Sequence, residues 1–141
     1  MARQEKINTI PFFKHDYYAA ADSKLRRLRR AFGASGYAVY FLSLEYLYRN
    51  NGEALGLFEI EDIAQDLQLE SRDVVNILDY ACSDSCGSLL EKNDKGYFSV
   101  RVINAFKEAE AERNFYRESG ARGGRKAAEN KKNADPEPSR V

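Results

Sequence analysis

Apolar residues recur every three or four positions along most of this chain, and the period shortens to two at only one place. Leu25, Leu28 and Phe32 share a helical face that starts near Ser23 and stops at Gly33. In "SGYAVYFLSLEYLYRN", Tyr37, Tyr40, Phe41, Leu44, Leu47 and Tyr48 fall on one stripe, which predicts a core helix ended by Asn51 and Gly52. "LFEIEDIAQDLQL" predicts a short helix burying Ile63, Ala64 and Leu67. "ESRDVVNILDYACSD" predicts another, with Ser71 as N-cap, Asp73 in the first turn, and Val74, Ile77, Leu78 and Ala81 inward. About three residues separate these two helices, the short connection of a helix-turn-helix.

The change of period comes in "SLLEKNDKGYFSV". A short apolar run, a turn rich in Asn, Asp and Gly, and a run of aromatic and β-branched residues predict a hairpin over 89–100. A last helix starts near Arg101, with Val102, Ile103, Phe106 and Ala109 inward, and should end near "ESGARGG". The predicted fold class is mainly α with a small β-hairpin, in the order of a winged helix-turn-helix. Its core should contain Leu25, Leu28, Tyr40, Phe41, Leu44, Ile63, Leu67, Val74, Ile77, Leu78, Phe98 and Phe106. Residues 1–11 read as an extended lead-in, since Pro11 discourages helix before it. Residues 12–118 read as the winged-helix domain. Residues 119–141 read as a basic disordered tail, because no large apolar residue occurs there before Val141.

Length fits one domain with a modest core at 141 residues. Nothing at the start resembles a signal peptide, and no run approaches the ~18 apolar residues of a membrane span. Cys82 and Cys86 form no disulfide framework, so a cytoplasmic location with no membrane partner is expected.

Charge changes the picture more. The formal net charge is zero, yet residues 1–30 hold eight Lys/Arg against three Asp/Glu, residues 31–100 four against twelve, and residues 101–141 ten against seven. Basic ends flank an acidic middle, a segregation that concerns partners more than folding. "LRRLRR" is its sharpest expression. With Leu25, Leu28 and Phe32 facing the core, Arg26, Arg27, Arg29 and Arg30 are pushed onto the exposed arc, where guanidinium forks suit phosphate. The alternative is an ordinary solvated helix face.

Three further residue groups hint at chemistry, and each lacks a component. "HD" at His15 and Asp16 matches the short motif of metal phosphohydrolases, but His15 is the single histidine, and local hydrogen bonding in the lead-in explains the pair. Cys82 and Cys86, at i and i+4 on one helical face, fall short of the four ligands of a zinc site and read as buried or half-buried thiols. "GARGGRKAA" misses the spacing of a phosphate loop and follows a helix rather than a strand. No catalytic constellation, metal site or cofactor site is assembled, so the expectation is a non-enzyme without cofactors.

Three clusters carry a resemblance: Phe13, His15 and Asp16 in "FFKHDYY"; Asp22, Lys24, Leu25 and Leu28 in "DSKLRRL"; and Gly33, Gly36, Tyr37 and Tyr40 in "FGASGYAVY". Together they resemble the N-terminal winged-helix domain of DnaD-like replication-initiation proteins of phages and related mobile elements. The resemblance covers roughly residues 12–125, including "SVRV" and "SGARGGRKAA". Members often continue into a second, helical domain that is not present in these 141 residues. The resemblance implies DNA replication as the setting, and self-association as one use of the fold.

The expected recognition helix argues against ordinary major-groove reading. Arg72 is its one cation, against Asp73, Asp79 and Asp84 with Glu70 just ahead, and Asn76 alone could read an adenine edge. In the hairpin, Lys92 and Lys95 face Glu91 and Asp94. Two functions follow from this balance. The first is DNA binding, non-specific or weakly specific, through phosphate contacts of Arg26, Arg27, Arg29, Arg30, Arg72, Lys92, Lys95, Arg122, Arg125 and Lys126, with Lys131 and Lys132 adding tail charge. The second is a protein-interaction module that self-associates or recruits replication proteins without touching DNA.

Overall fold

Asp22 sets the first helix. In the computed structural model, which describes residue 10 and residues 12–134, its carboxylate accepts hydrogen bonds from the backbone N–H groups of Lys24 (2.9 Å) and Leu25 (3.2 Å). Such a cap satisfies two of the donors that every helix start leaves open. Helix α1 then runs Ser23–Phe32 and ends at Gly33, whose φ of 69° is the left-handed geometry glycine tolerates. A single 3-10 turn, Ala19–Ala21, precedes it.

Helix α2, Ala34–Arg49, starts at once, so the two helices fold back on each other tightly. Gly36 makes that approach possible: a Cβ there would lie 2.9 Å from the Leu28 carbonyl oxygen and 3.1 Å from Phe32 Cβ. Val39, Tyr40, Leu44, Leu47 and Tyr48 of α2 are buried. Asn51 and Gly52 both take positive φ and turn the chain away, as the sequence predicts.

Helix α3, Leu57–Leu67, and helix α4, Ser71–Ala81, are joined by Gln68, Leu69 and Glu70, with Gln68 left-handed (φ 57°). The Glu59 carboxylate caps α3 by accepting from the Gly56 N–H at 3.0 Å. Ser71 is not the cap of α4. Glu70 holds that position without a side-chain bond, and Ser71 is already helical, because the turn from Gln68 brings the chain into the helix one residue early. The helix stops at Ala81, so Cys82 and Cys86 do not share a helical face. Cys82 closes the helix and Cys86 sits buried in the following turn, both as free thiols.

Strands β1, Glu91–Asn93, and β2, Gly96–Phe98, pair antiparallel, with Glu91 opposite Phe98 and Asn93 opposite Gly96. The Asn93 side chain accepts from the N–H groups of Lys95 and Gly96 and fixes the turn. Leu55 adds an antiparallel bridge to Tyr97, with mutual backbone bonds of 2.7 and 3.1 Å. That bridge decides which strand residue faces inward. Tyr97, not Phe98, is buried, and Phe98 is half-buried. Phe41, Leu67 and Phe106, also expected in the core, are half-buried and pack on its edge. The other expected core residues are buried, joined by Leu55, Ile60, Leu90 and Val102. The protein is thus mainly helical with a small two-stranded antiparallel hairpin.

Helix α5 runs Val100–Ala134. The chain divides into one unit ending at Phe106 and a second beginning at Lys107. The helix does not end at the glycines as expected, because Gly120, Gly123 and Gly124 are absent from the positive-φ glycines and provide no left-handed cap. Of the expected disordered tail, residues 119–134 are helical and 135–141 lie outside the described residues, as does most of the expected lead-in at 1–9 and 11.

Candidate nucleic-acid interface

Leu25 and Leu28 are buried and Phe32 meets the Tyr80 ring edge-on at 5.5 Å, which fixes the rotation of α1. Arg26, Arg27 and Arg30 are consequently exposed. Arg29 departs from the expectation that all four point to solvent. It is half-buried, donates to the Ala20 carbonyl, and lies 5.8 Å from the centre of the Tyr37 ring. Its position next to the Leu25–Phe32 face and the presence of the 3-10 turn explain this: the guanidinium closes that turn onto α1.

Ion pairs among the described residues join Arg49 to Glu45, Arg72 to Glu70, Lys92 to Asp79 and Arg122 to Glu118. None of them involves an arginine of α1. The contrast with the α4–hairpin face is direct. Arg72 lies 3.9 Å from Glu70, and Asp73 and Asn76 are exposed beside it. Lys92 lies 3.6 Å from Asp79 and 5.0 Å above the Tyr97 ring, while the Tyr97 hydroxyl donates to the Asp79 carboxylate. Burial, followed by this bond to Asp79, pushes the Tyr97 pKa well above its ordinary value. Burial, followed by the nearby Asp79 charge, likewise pushes Cys82 up to about 11, so its thiol stays protonated at neutral pH. Lys95 is exposed at the hairpin turn. Arg122, Arg125 and Lys126 are exposed on α5, in the second unit.

A cleft of about 950 Å³ in the first unit was not visible in the sequence. His15, Asp16, Asp22, Lys24, Tyr40 and Arg101 are among its lining residues. The His15 ring stacks on Phe41 at 4.2 Å, its Nε2 is 3.3 Å from the Tyr37 hydroxyl, and Asp16 accepts from the Tyr18 N–H at 2.8 Å. Asp16 thus makes the local bond expected of the "HD" pair, whereas His15 meets Tyr37 and Phe41 of α2 instead of a neighbour in sequence. Arg101 donates to the Lys14 carbonyl at 3.1 Å, tying the segment before the 3-10 turn to the start of α5. Burial raises the Tyr40 pKa, and the Arg101 charge opposes that rise. Residues carrying the sequence resemblance gather here, from segments too far apart along the chain for spacing to reveal it.

The family model described as Lin1244/Lin1753-like, N-terminal, matches residues 12–99, from just after the expected lead-in through the end of the hairpin. The chain belongs to this family. The matched span contains α1 with its arginines, the α3–α4 pair and the cleft residues from Lys14 to Glu91, and it stops before α5. No curated protein and no solved structure matches the chain. Among the described residues, no helix is long and apolar enough to cross a membrane.

Proposed function

We propose that this protein is a non-enzymatic winged-helix module of a cytoplasmic replication-initiation protein from a phage or mobile element, similar to the N-terminal domain of DnaD-like proteins. It binds DNA through phosphate contacts, with no cofactor, and the grip is on α1. The α3–α4 pair is the helix-turn-helix and β1–β2 the wing. The observation that carries this reading is the state of the cations. Arg26, Arg27 and Arg30 are exposed on one helix and outside the ion pairs of the described residues, whereas Arg72 and Lys92 already face Glu70 and Asp79.

Unpaired arginines on a rigid helix release counterions when they meet phosphate, and that release gives affinity without sequence preference. The test is fluorescence anisotropy with labelled duplexes of unrelated sequence, over a salt series. Arg26→Glu with Arg30→Glu should weaken binding to every duplex alike and flatten the salt slope by roughly 0.9 for each phosphate no longer neutralised. Unchanged affinity in that variant, with Arg72→Glu dominant, would move the interface to the recognition helix.

A second reading is favoured by one observation. Leu57 and Phe58, adjacent at the start of α3, are 76% and 82% exposed, and α3 carries Glu59, Glu61, Asp62 and Asp66 without a cation. An apolar pair set in an acidic helix suits a protein partner. Under that reading the module recruits a replication protein and shows no DNA affinity even at low salt.

A further inference from the structure

From Lys107 onward, α5 is a long helix whose residues 110–128 are all exposed, and it includes Phe115 and Tyr116 at 65% and 64% exposure. A single helix in water is marginal, and Gly120, Gly123 and Gly124 each cost it about 1 kcal/mol relative to Ala. No Cβ position at these glycines has a neighbour within 4 Å, so none of the described residues packs on the helix there.

The charges along this helix are polarised. Residues 107–112, "KEAEAE", hold three Glu against Lys107, whereas residues 113–126 hold Arg113, Arg117, Arg122, Arg125 and Lys126 against Glu118. Glu108, Glu112, Phe115, Ser119, Arg122 and Lys126 follow one another at alternating steps of four and three, the heptad spacing of a helix-pairing seam. Along its length this seam passes from acid through aromatic to base. A parallel copy would set like charges side by side; an antiparallel copy sets acid against base at both ends.

We propose that α5 pairs antiparallel with α5 of a second copy of this chain over residues 108–126, with Glu108 against Lys126 and Glu112 against Arg122, which exchanges its exposed pair with Glu118 of its own helix for the new one. In this register Phe115 lies against Ser119, and Tyr116, at the flank of the seam, falls level with Glu118. The seam is roughly 27 Å long at 1.5 Å per residue. Because Phe115 is the one aromatic in the seam of each copy, with Tyr116 at its flank, charge sets the direction of pairing and most of its strength. The proposal is independent of DNA binding by α1 and is tested without nucleic acid.

The experiment measures the mass of the full chain by sedimentation equilibrium at high micromolar concentration. The wild-type protein should be dimeric and should dissociate towards monomer at about 1 M salt, where the Debye length is ~3 Å. Glu108→Lys with Glu112→Lys should be monomeric, and so should Arg122→Glu with Lys126→Glu. An equimolar mixture of these two variants should dimerise again, because each then presents the other's missing charge at both ends. Far-ultraviolet circular dichroism and thermal unfolding of each variant check that the first unit stays folded, and the mixture guards against a variant failing for other reasons. A wild-type monomer, reversal variants that keep the dimer mass, or a mixture that stays monomeric would each overturn the proposal.

Discussion

Two charged faces of the first unit are built in opposite ways. On α1 the arginines are added to a helix already fixed by Leu25, Leu28 and the Asp22 cap, and Arg26, Arg27 and Arg30 lie outside the ion pairs of the described residues. On the α4–hairpin face the charges bind one another: Asp79 receives both the Lys92 ammonium and the Tyr97 hydroxyl, and Arg72 lies near Glu70. The difference bears on what a charge is free to do. Cations already paired with carboxylates gain less from a phosphate than unpaired ones do, even when both are exposed.

The largest expected effect tests this contrast on DNA. Reversing Arg26 and Arg30 should lower affinity at low salt by at least about ten-fold, since two or more phosphates would go without a cation. Asp73→Arg should leave affinity within about two-fold, because a face held off the duplex gains little from one added charge. A ten-fold gain from Asp73→Arg would place α4 on DNA and erase the distinction between the faces.

Stability probes come next. Tyr97→Phe keeps the ring and removes the hydroxyl from Asp79, and should cost about 1–2 kcal/mol in urea unfolding, as expected for a hydrogen bond to a charged group. Its DNA affinity should not change. Asp22→Ala removes the cap of α1 and should cost about 1 kcal/mol. If α1 grips phosphate, this variant should also bind DNA more weakly, to the extent that the first turn frays.

Alkaline titration separates the faces in another way. Folding raises the Tyr97 and Cys82 pKa values, so the neutral forms are the ones the fold favours. Their contribution to stability is present below the unfolded pKa values and is lost as pH rises through the folded ones, for Cys82 from its ordinary 9.0 towards about 11. The urea midpoint should therefore fall across that range, and Tyr97→Phe should fall less steeply than wild type. An equal slope in the two proteins would assign the loss to Cys82 or to groups elsewhere. The smallest effect should be that of Arg72→Glu, which should change DNA affinity by less than about two-fold, since an exposed pair such as Arg72 and Glu70 contributes little.

Much of the fold was legible because it depends on local rules. Leucine spacing located α1, the stripe from Tyr37 to Tyr48 located α2, and the Asn-Asp-Lys-Gly turn located the hairpin within a residue or two. Charge counting picked out α1, and a buried Leu25 and Leu28 then put three of its four arginines outside. Two of the misses share one cause: each depended on a neighbour outside its own element. Tyr97 rather than Phe98 is buried because Leu55 pairs with Tyr97, 42 positions away along the chain. Arg29 turns inward because the Ala20 carbonyl and the Tyr37 ring are there to receive it.

The residue clusters between positions 13 and 40 show the same division. The sequence by itself determined that His15, Asp22, Lys24 and Tyr40 occur in order, and that Asp22 could cap a helix. Only the tertiary structure brought them to one cleft beside Arg101, and only it committed Asp79 to Lys92 and Tyr97. Periodicity reports which side of an element is apolar, since burial of that side outweighs most other local preferences. It carries no record of which polar groups meet across elements, because those partners are chosen when the elements pack.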